Sequence, residues 1–153
     1  MNVFEEFKRI VLDLDRKKIR YALVGGVAMA FYSEPRFTRD IDILVDIDDF
    51  YKLKDLLEQD GYFESAPPWK FSNIAIELHR FLKTADPEDD MIIDILIAKD
   101  KEVRKIIQRA VEAESDEGIV MLANKNDLIW LKRSRNSKQD QADIERLENV
   151  KDR

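Results

Sequence analysis

Near the start of the chain the apolar positions Val3, Phe4, Phe7, Ile10, Val11 and Leu14 recur three and four residues apart. That spacing lines one face of a helix and predicts an amphipathic helix over about residues 2–18. The period then changes. Arg20 to Val24 (RYALV) is a short β-branched and aromatic run that stops at Gly25-Gly26, and the residues after it favour helix up to Pro35, which reads as strand, glycine turn, helix. Asp40 to Asp46 (DIDILVD) alternates acid with aliphatic as a strand does. Asp48 or Asp49 is placed to cap the next helix, whose apolar stripe is Phe50, Leu53, Leu56 and Leu57 and which ends before Gly61. The stretch ESAPPWKFS reads as loop. Ala75 to Leu82 and Met91 to Ala98 read as strands, and the turn signal Asp86-Pro87-Glu88-Asp89-Asp90 between them predicts a hairpin.

Val103, Ile106, Ile107, Ala110 and Val111 mark a further helix, and Gly118 to Leu122 a short strand. Asn124 with Asp127 three residues on forms an N-terminal cap for the next helix, and Ile144, Leu147 and Val150 mark a last one. The order α-β-α-β-α-β-β-α-β-α-α predicts an α/β (α+β) fold, a mixed sheet flanked by helices with a helical C-terminal tail. No repeat or linker interrupts it. The chain, 1–153, is therefore expected to be a single domain with a core over about 20–122 and a tail over about 124–151.

Composition narrows the function classes. A chain of 153 residues buries roughly two thirds of its unfolded surface. With 26 basic and 32 acidic side chains its net charge is −6, which excludes a broad polyanion-binding surface and disfavours a membrane-surface protein, so any phosphate must be met by a local site. The absence of cysteine excludes a disulfide scaffold, a thiolate zinc site and a cysteine nucleophile. The N-terminus has no signal-peptide pattern and no apolar run is long enough to span a bilayer, so a soluble, cytoplasmic protein without membrane partners is expected. Only four glycines are present and two of them are Gly25 and Gly26, which points to a backbone requirement at that turn.

The alternation in DIDILVD sends Ile41, Ile43 and Val45 to one face of a sheet and Asp40 and Asp42 to the other. In MIIDILIA, Asp94 interrupts an otherwise apolar strand. A carboxylate there raises its pKa or needs a partner, and three acids near one another repel unless a cation sits among them. A hard divalent cation suits such a set. A strand that ends in Gly25-Gly26 and opens a helix also offers free N–H groups and a positive helix end to a phosphate. Taken singly, an Asp-x-Asp is compatible with a surface edge and a glycine pair with a tight turn; the combination is what points to phosphate chemistry.

In this order the segments LVGGVAMAF, RFTRDIDILV and MIIDILIA resemble the nucleotidyltransferase superfamily, whose best-known member is DNA polymerase β. Arg36-Phe37-Thr38 before the acids and the late segment KNDLIWLKRSRNSKQDQADI are similar to the small AbiEii-type nucleotidyltransferases of toxin–antitoxin systems. The chain carries Val27 where many members have Ser or Thr, which leaves backbone N–H groups as the donors there. The resemblance implies a metal-dependent enzyme. Asp40 and Asp42 would bind one or two Mg²⁺ (or Mn²⁺) ions together with a nucleoside triphosphate. Asp94 would help hold the second ion and draw the proton from an acceptor hydroxyl, in RNA such as tRNA, a protein or a small molecule. The alternative is an inactive module of the same fold with a regulatory or binding role.

Gly25, Gly26, Arg39, Lys132 and Arg135 are the candidate nucleotide-binding residues. Lys132, Arg133, Arg135 and Lys138 form the one locally basic stretch, which is compatible with an RNA acceptor or with plain surface. His79 reads as a structural histidine, and Trp69 either stacks on a base or covers the edge of the core. A domain this short is open to completion by a homodimer or by a cognate toxin or antitoxin partner.

Overall fold

The structure, a computed structural model, describes residues 3–33, 40–84, 90–116 and 118–150. Its elements are α1 (Val3–Arg16), β1 (Tyr21–Val24), α2 (Gly25–Tyr32), β2 (Asp40–Asp46), α3 (Ile47–Gln59), β3 (Phe63–Glu64), β4 (Trp69–Lys70), β5 (Ile76–Thr84), β6 (Asp90–Ala98), α4 (Lys101–Gln108), β7 (Val111–Ser115), β8 (Gly118–Leu122), α5 (Lys125–Arg135) and α6 (Lys138–Glu148). The strands make one mixed sheet in the order β3-β5-β6-β2-β1-β8-β7, with β4 also paired to β5. β2 runs parallel to β6 and β1 parallel to β8, while β1–β2, β5–β6 and β7–β8 are antiparallel. The expected mixed sheet with flanking helices and a helical tail is present.

The aliphatic positions of β2 and β6 build the core. Ile41, Ile43, Ile93 and Ile95 are essentially fully buried, and each contributes roughly 1.5–3 kcal/mol through burial. α3 and α4 both pack on β2 and β6. On the other side of the chain's first glycine turn, α2 packs on β1 and β2, and its Tyr32 hydroxyl donates to the Ala123 carbonyl at 2.8 Å. That bond ties α2 to the start of the C-terminal helices.

Three details differ from the sequence expectation. α4 ends at Gln108, and Val111 opens β7 instead of continuing the helix. The alternation Val111, Ala113, Ser115 against Glu112, Glu114 suits a strand paired to β8, and that pairing supplies backbone hydrogen bonds that a frayed last helical turn would lack. The ESAPPWKFS stretch begins inside the two-residue strand β3 and carries the two-residue strand β4, both paired to β5. The cap of α3 is Asp46, whose Oδ1 accepts from the Asp48 N–H at 3.2 Å, two residues before Asp48 and three before Asp49.

Candidate active site

Strand register places the chemistry. Val24 pairs with Asp42 across β1–β2, Asp42 with Asp94 across β2–β6, and Asp94 with Arg80 across β6–β5. Directly opposed residues share a face of a sheet, so Asp42, Asp94 and Arg80 form one row across three strands that ends at the glycine turn. Asp40, two residues before Asp42, shares that face.

Gly25 has φ +68°, and a β-carbon built there would overlap Asp42 Oδ2 and stand 2.7 Å from Asp42 Cγ. The backbone requirement read from the glycine pair thus falls on Gly25, while Gly26 continues into the first turn of α2. That helix has no side-chain cap and no acid in its first turn. Its leading N–H groups therefore lack the usual side-chain acceptor, at the positive end of the helix.

The acids crowd one another. Burial, then the charges of Asp94 and Asp40, push the Asp42 carboxyl up to about 7, with Arg135 and Lys132 acting in the opposite sense. Asp40 is raised too, by burial first and then by Asp94, with Arg80 opposing. Asp94 is 3% exposed, and Arg80 grips both its oxygens, Nε to Oδ1 at 2.8 Å and Nη2 to Oδ2 at 2.9 Å. Arg80 was not a candidate from the sequence. The strand AIELHRFL and its antiparallel pairing with MIIDILIA were legible, while most of the predicted turn, residues 86–89, lies outside the described residues; the register that sets Arg80 opposite Asp94 was not legible.

A cleft of about 440 Å³ opens over this row, between the Trp69–Ile74 segment on one side and α5 with the start of α6 on the other. Gly25, Asp42, Asp94, Lys132 and Arg135 all line it. Lys132 is buried, its Nζ 3.0 Å from Asp143 Oδ2, and Asp143 Oδ1 also accepts from Gln139 Nε2 at 2.9 Å. Arg135 Nε lies 3.3 Å from Asp140 Oδ2, and Asp140 itself forms a capping box with Ser137 at the start of α6. The two basic residues are thus presented to the cleft by acids of the following helix. The late basic stretch is consequently not one exposed face, because Lys132 faces inward while Arg133 pairs outside with Glu148 at 3.0 Å.

Arg39, like Arg36 and Thr38, lies outside the described residues. His79 sits on the opposite face of β5 from Arg80, its Nδ1 3.0 Å from Glu64 and its Nε2 2.9 Å from Glu77, with its ring 4.5 Å from that of Phe50. That arrangement suits a structural histidine. Trp69 lines the cleft, 40% exposed.

Among the described residues, no three His, Cys, Asp or Glu side chains gather closely enough to hold a metal ion by themselves. Asp40, Asp42 and Asp94 share a face but do not close on one point, and Arg80 neutralises Asp94 in place of a cation. Asp40 and Asp42 nevertheless fit a hard divalent ion taken up with phosphate oxygens, since Mg²⁺ takes one or two protein carboxylates in such sites. Burial first, and then neighbouring carboxylate charge, raises both carboxyls, and such an ion would offset both effects.

Comparison with known proteins bears on the family and the fold. Residues 6–86, just over half of the chain, match the family model of aminoglycoside-2''-adenylyltransferase. The lincosamide antibiotic adenylyltransferase LnuA, solved with lincomycin bound, has a similar structure, with TM-score 0.68, 17% identity and coverage of 96% of this chain and 97% of that one. A putative nucleotidyltransferase from Thermotoga maritima gives TM-score 0.64 at 14% identity, covering 91% and 89%. ANT(2'')-Ia in complex with adenylyl-2''-tobramycin gives 0.57 at 15% identity, covering 95% and 86%. No curated protein sequence matches. The superfamily resemblance and the fold hold, and within the superfamily the matching family is one of small-molecule adenylyltransferases.

Proposed function

The chain belongs to the aminoglycoside-2''-adenylyltransferase family of nucleotidyltransferase enzymes, and on that premise we propose that it moves a nucleoside monophosphate from a nucleoside triphosphate to a hydroxyl group of a small molecule. The observation that carries this reading is the row Asp42–Asp94 ending at Gly25, under a cleft lined by Lys132 and Arg135. The N–H groups of the first turn of α2, at Gly25 and Gly26, receive phosphate oxygens. Lys132 and Arg135, held by Asp143 and Asp140, face the same charge and orient it. Arg39, next to Asp40 in the sequence, remains a further candidate donor.

Asp40 and Asp42 would hold Mg²⁺ or Mn²⁺, which when bound supplies positive charge to the reacting phosphate. Asp94 accepts the proton of the acceptor hydroxyl. The hydroxyl oxygen forms its bond to the α-phosphorus as the bond to the pyrophosphate oxygen breaks, and pyrophosphate leaves. The Trp69–Ile74 wall bounds the space left for the acceptor.

The family favours a small-molecule acceptor over RNA or protein. A toxin–antitoxin setting with a cognate partner rests on the sequence resemblance alone. Among the described residues no helix is long and apolar enough to cross a membrane. The reading treats residues 1–153 as one catalytic domain.

The test is the melting temperature with Mg²⁺ and each nucleoside triphosphate in turn. Ligand at about 100 times its Kd adds about 2.7 kcal/mol to stability, so at least one triphosphate raises the midpoint by several degrees. No shift with any triphosphate, with or without Mg²⁺, would remove the basis for a nucleotidyl-transfer site.

A further inference from the structure

The floor of the cleft changes character along its strands. Two residues beyond Asp94 and two before Arg80 stand Leu96 and Leu78, which pair directly across β5–β6, and Trp69 pairs with Leu78 across β4–β5. A step of two residues keeps the same face of the sheet and moves roughly 7 Å along a strand. An apolar row thus runs beside the charged one. Phe71 on one wall and Leu128 and Leu131 of α5 on the other line the same cleft. The Trp69 ring centre lies 5.6 Å from the central carbon of the Arg80 guanidinium, so the two rows meet at the pair that holds Asp94. Asn73 Nδ2 donates to the Ser134 carbonyl at 3.1 Å, which ties the two walls together.

In-line transfer puts the attacking oxygen and the departing pyrophosphate on opposite sides of the phosphorus. With the triphosphate on the glycine turn after β1, the acceptor enters from the β5–β4 end, where Arg80, Leu78 and Trp69 lie. We propose that this apolar row is the acceptor subsite and that the acceptor is an uncharged hydroxyl compound bearing an apolar ring, which lies on Trp69, Leu78 and Leu96 while the hydroxyl reaches Asp94. The proposal rests on nucleotidyl transfer at the same site. A cationic acceptor would lose water at this end and face the Arg80 guanidinium. Among the described residues, the carboxylates that line the cleft are Asp42, Asp94 and Asp140. Asp94 is held by Arg80, Asp140 by Arg135 and Ser137, and Asp42 is the proposed cation ligand. An uncharged ring instead buries apolar area on the two leucines and stacks on the indole.

The chain has two tryptophans, and Trp130, on α5, is not part of the cleft lining. Trp130→Phe therefore leaves Trp69 as the sole indole and makes its fluorescence a report on the apolar row. The full chain is titrated with phenyl β-D-glucoside, methyl β-D-glucoside and glucosamine, which share most of their hydroxyls and differ in an aromatic ring and a positive charge. Phenyl glucoside should change the Trp69 emission to saturation, with a Kd at least about tenfold below those of the other two. In Trp69→Ala, followed by calorimetry, its Kd should rise to within about threefold of that of methyl glucoside, while the triphosphate still raises the melting temperature. Calorimetry on wild type gives the same comparison of ligands if Trp130→Phe does not fold.

Equal affinity for the phenyl and methyl glucosides, or tighter binding of glucosamine, overturns the proposal. So does a triphosphate that itself saturates the Trp69 signal and excludes phenyl glucoside, because the nucleobase then occupies this end. If no glucoside binds while a triphosphate still raises the melting temperature, the acceptor assignment falls alone. If no ligand of either kind has any effect, the functional reading beneath it falls too.

Discussion

Gly25 and Asp42 stand so close that the carboxylate of Asp42 fills the space a β-carbon would occupy at Gly25. The glycine is needed twice over, once for its φ of +68° and once for this approach. Gly25→Ala should therefore lose roughly 1–3 kcal/mol of stability and at least about 100-fold in nucleotidyl transfer, since the side chain it displaces is at the centre of the site. Gly26 has no positive φ, and Gly26→Ala should be the milder change. Urea denaturation and initial rates on the two variants check the difference.

Asp42 gives a pH signature. Its carboxyl is raised from an ordinary value of 3.8 to about 7 in the folded chain, by burial first. The native state thus holds a proton that the unfolded state releases at lower pH, so metal-free stability falls as pH rises from about 4 to about 7 and is flat above. Asp42→Asn removes that penalty. Without divalent ions it should be more stable than wild type by about 1–3 kcal/mol at pH 8, with the gain gone near pH 4. Adding Mg²⁺ should raise the melting temperature of wild type and leave that of the variant unchanged, and removing it with a chelator should reverse the effect.

The buried pair Lys132–Asp143, at 3.0 Å, joins α5 to α6 behind the cleft. Truncating one partner strands a charge out of water, so Asp143→Ala should cost about 3–5 kcal/mol, while replacing both partners by Met and Leu should cost far less. Chemical denaturation of the two variants distinguishes them. Both should also lose transfer, because Lys132 faces the cleft and Asp143 positions it.

His79 lies on the far face of β5, and the prediction for it is the reverse. Its hydrogen bond to Glu77, helped by the charge of Lys99 against an opposing burial effect, holds the Glu77 carboxyl below its ordinary 4.5. A lowered carboxyl contributes stability that is present above pH 4.5 and lost as pH falls through the lowered value. His79→Phe, which keeps a ring against Phe50, should bring Glu77 back toward its ordinary value in an NMR titration and leave transfer within about twofold of wild type.

Much of this architecture was legible from local pattern. The helical spacing of Phe7, Ile10, Val11 and Leu14 became a buried stripe on α1, and the alternation of DIDILVD became β2 with Ile41 and Ile43 inside. Asn124 caps α5 as read, accepting the Asp127 N–H at 2.8 Å. What local pattern does not carry is pairing between distant strands. The parallel register that sets Asp42 opposite Asp94 joins segments about fifty residues apart, and Arg80 became part of the site only through the register of β5 on β6. Lys132 was legible as a candidate phosphate donor but not as a buried one, because its burial depends on Asp143, contributed by the next helix. Val111 extended a helical period that also fits the start of an alternating strand, and only the partner strand β8 decides between them.

Label transfer from α-phosphate-labelled ATP tests whether the cleft over Asp42 and Asp94 transfers a nucleotide. The reaction contains Mg²⁺ and, as acceptors, a panel of hydroxyl-bearing small molecules, with pyrophosphate release followed in parallel. The account predicts labelled acceptor and an equal amount of pyrophosphate with the wild-type chain, and at least about a 100-fold loss of both in Asp42→Asn. Equal rates of pyrophosphate release in wild type and Asp42→Asn, each protein being folded, would contradict it.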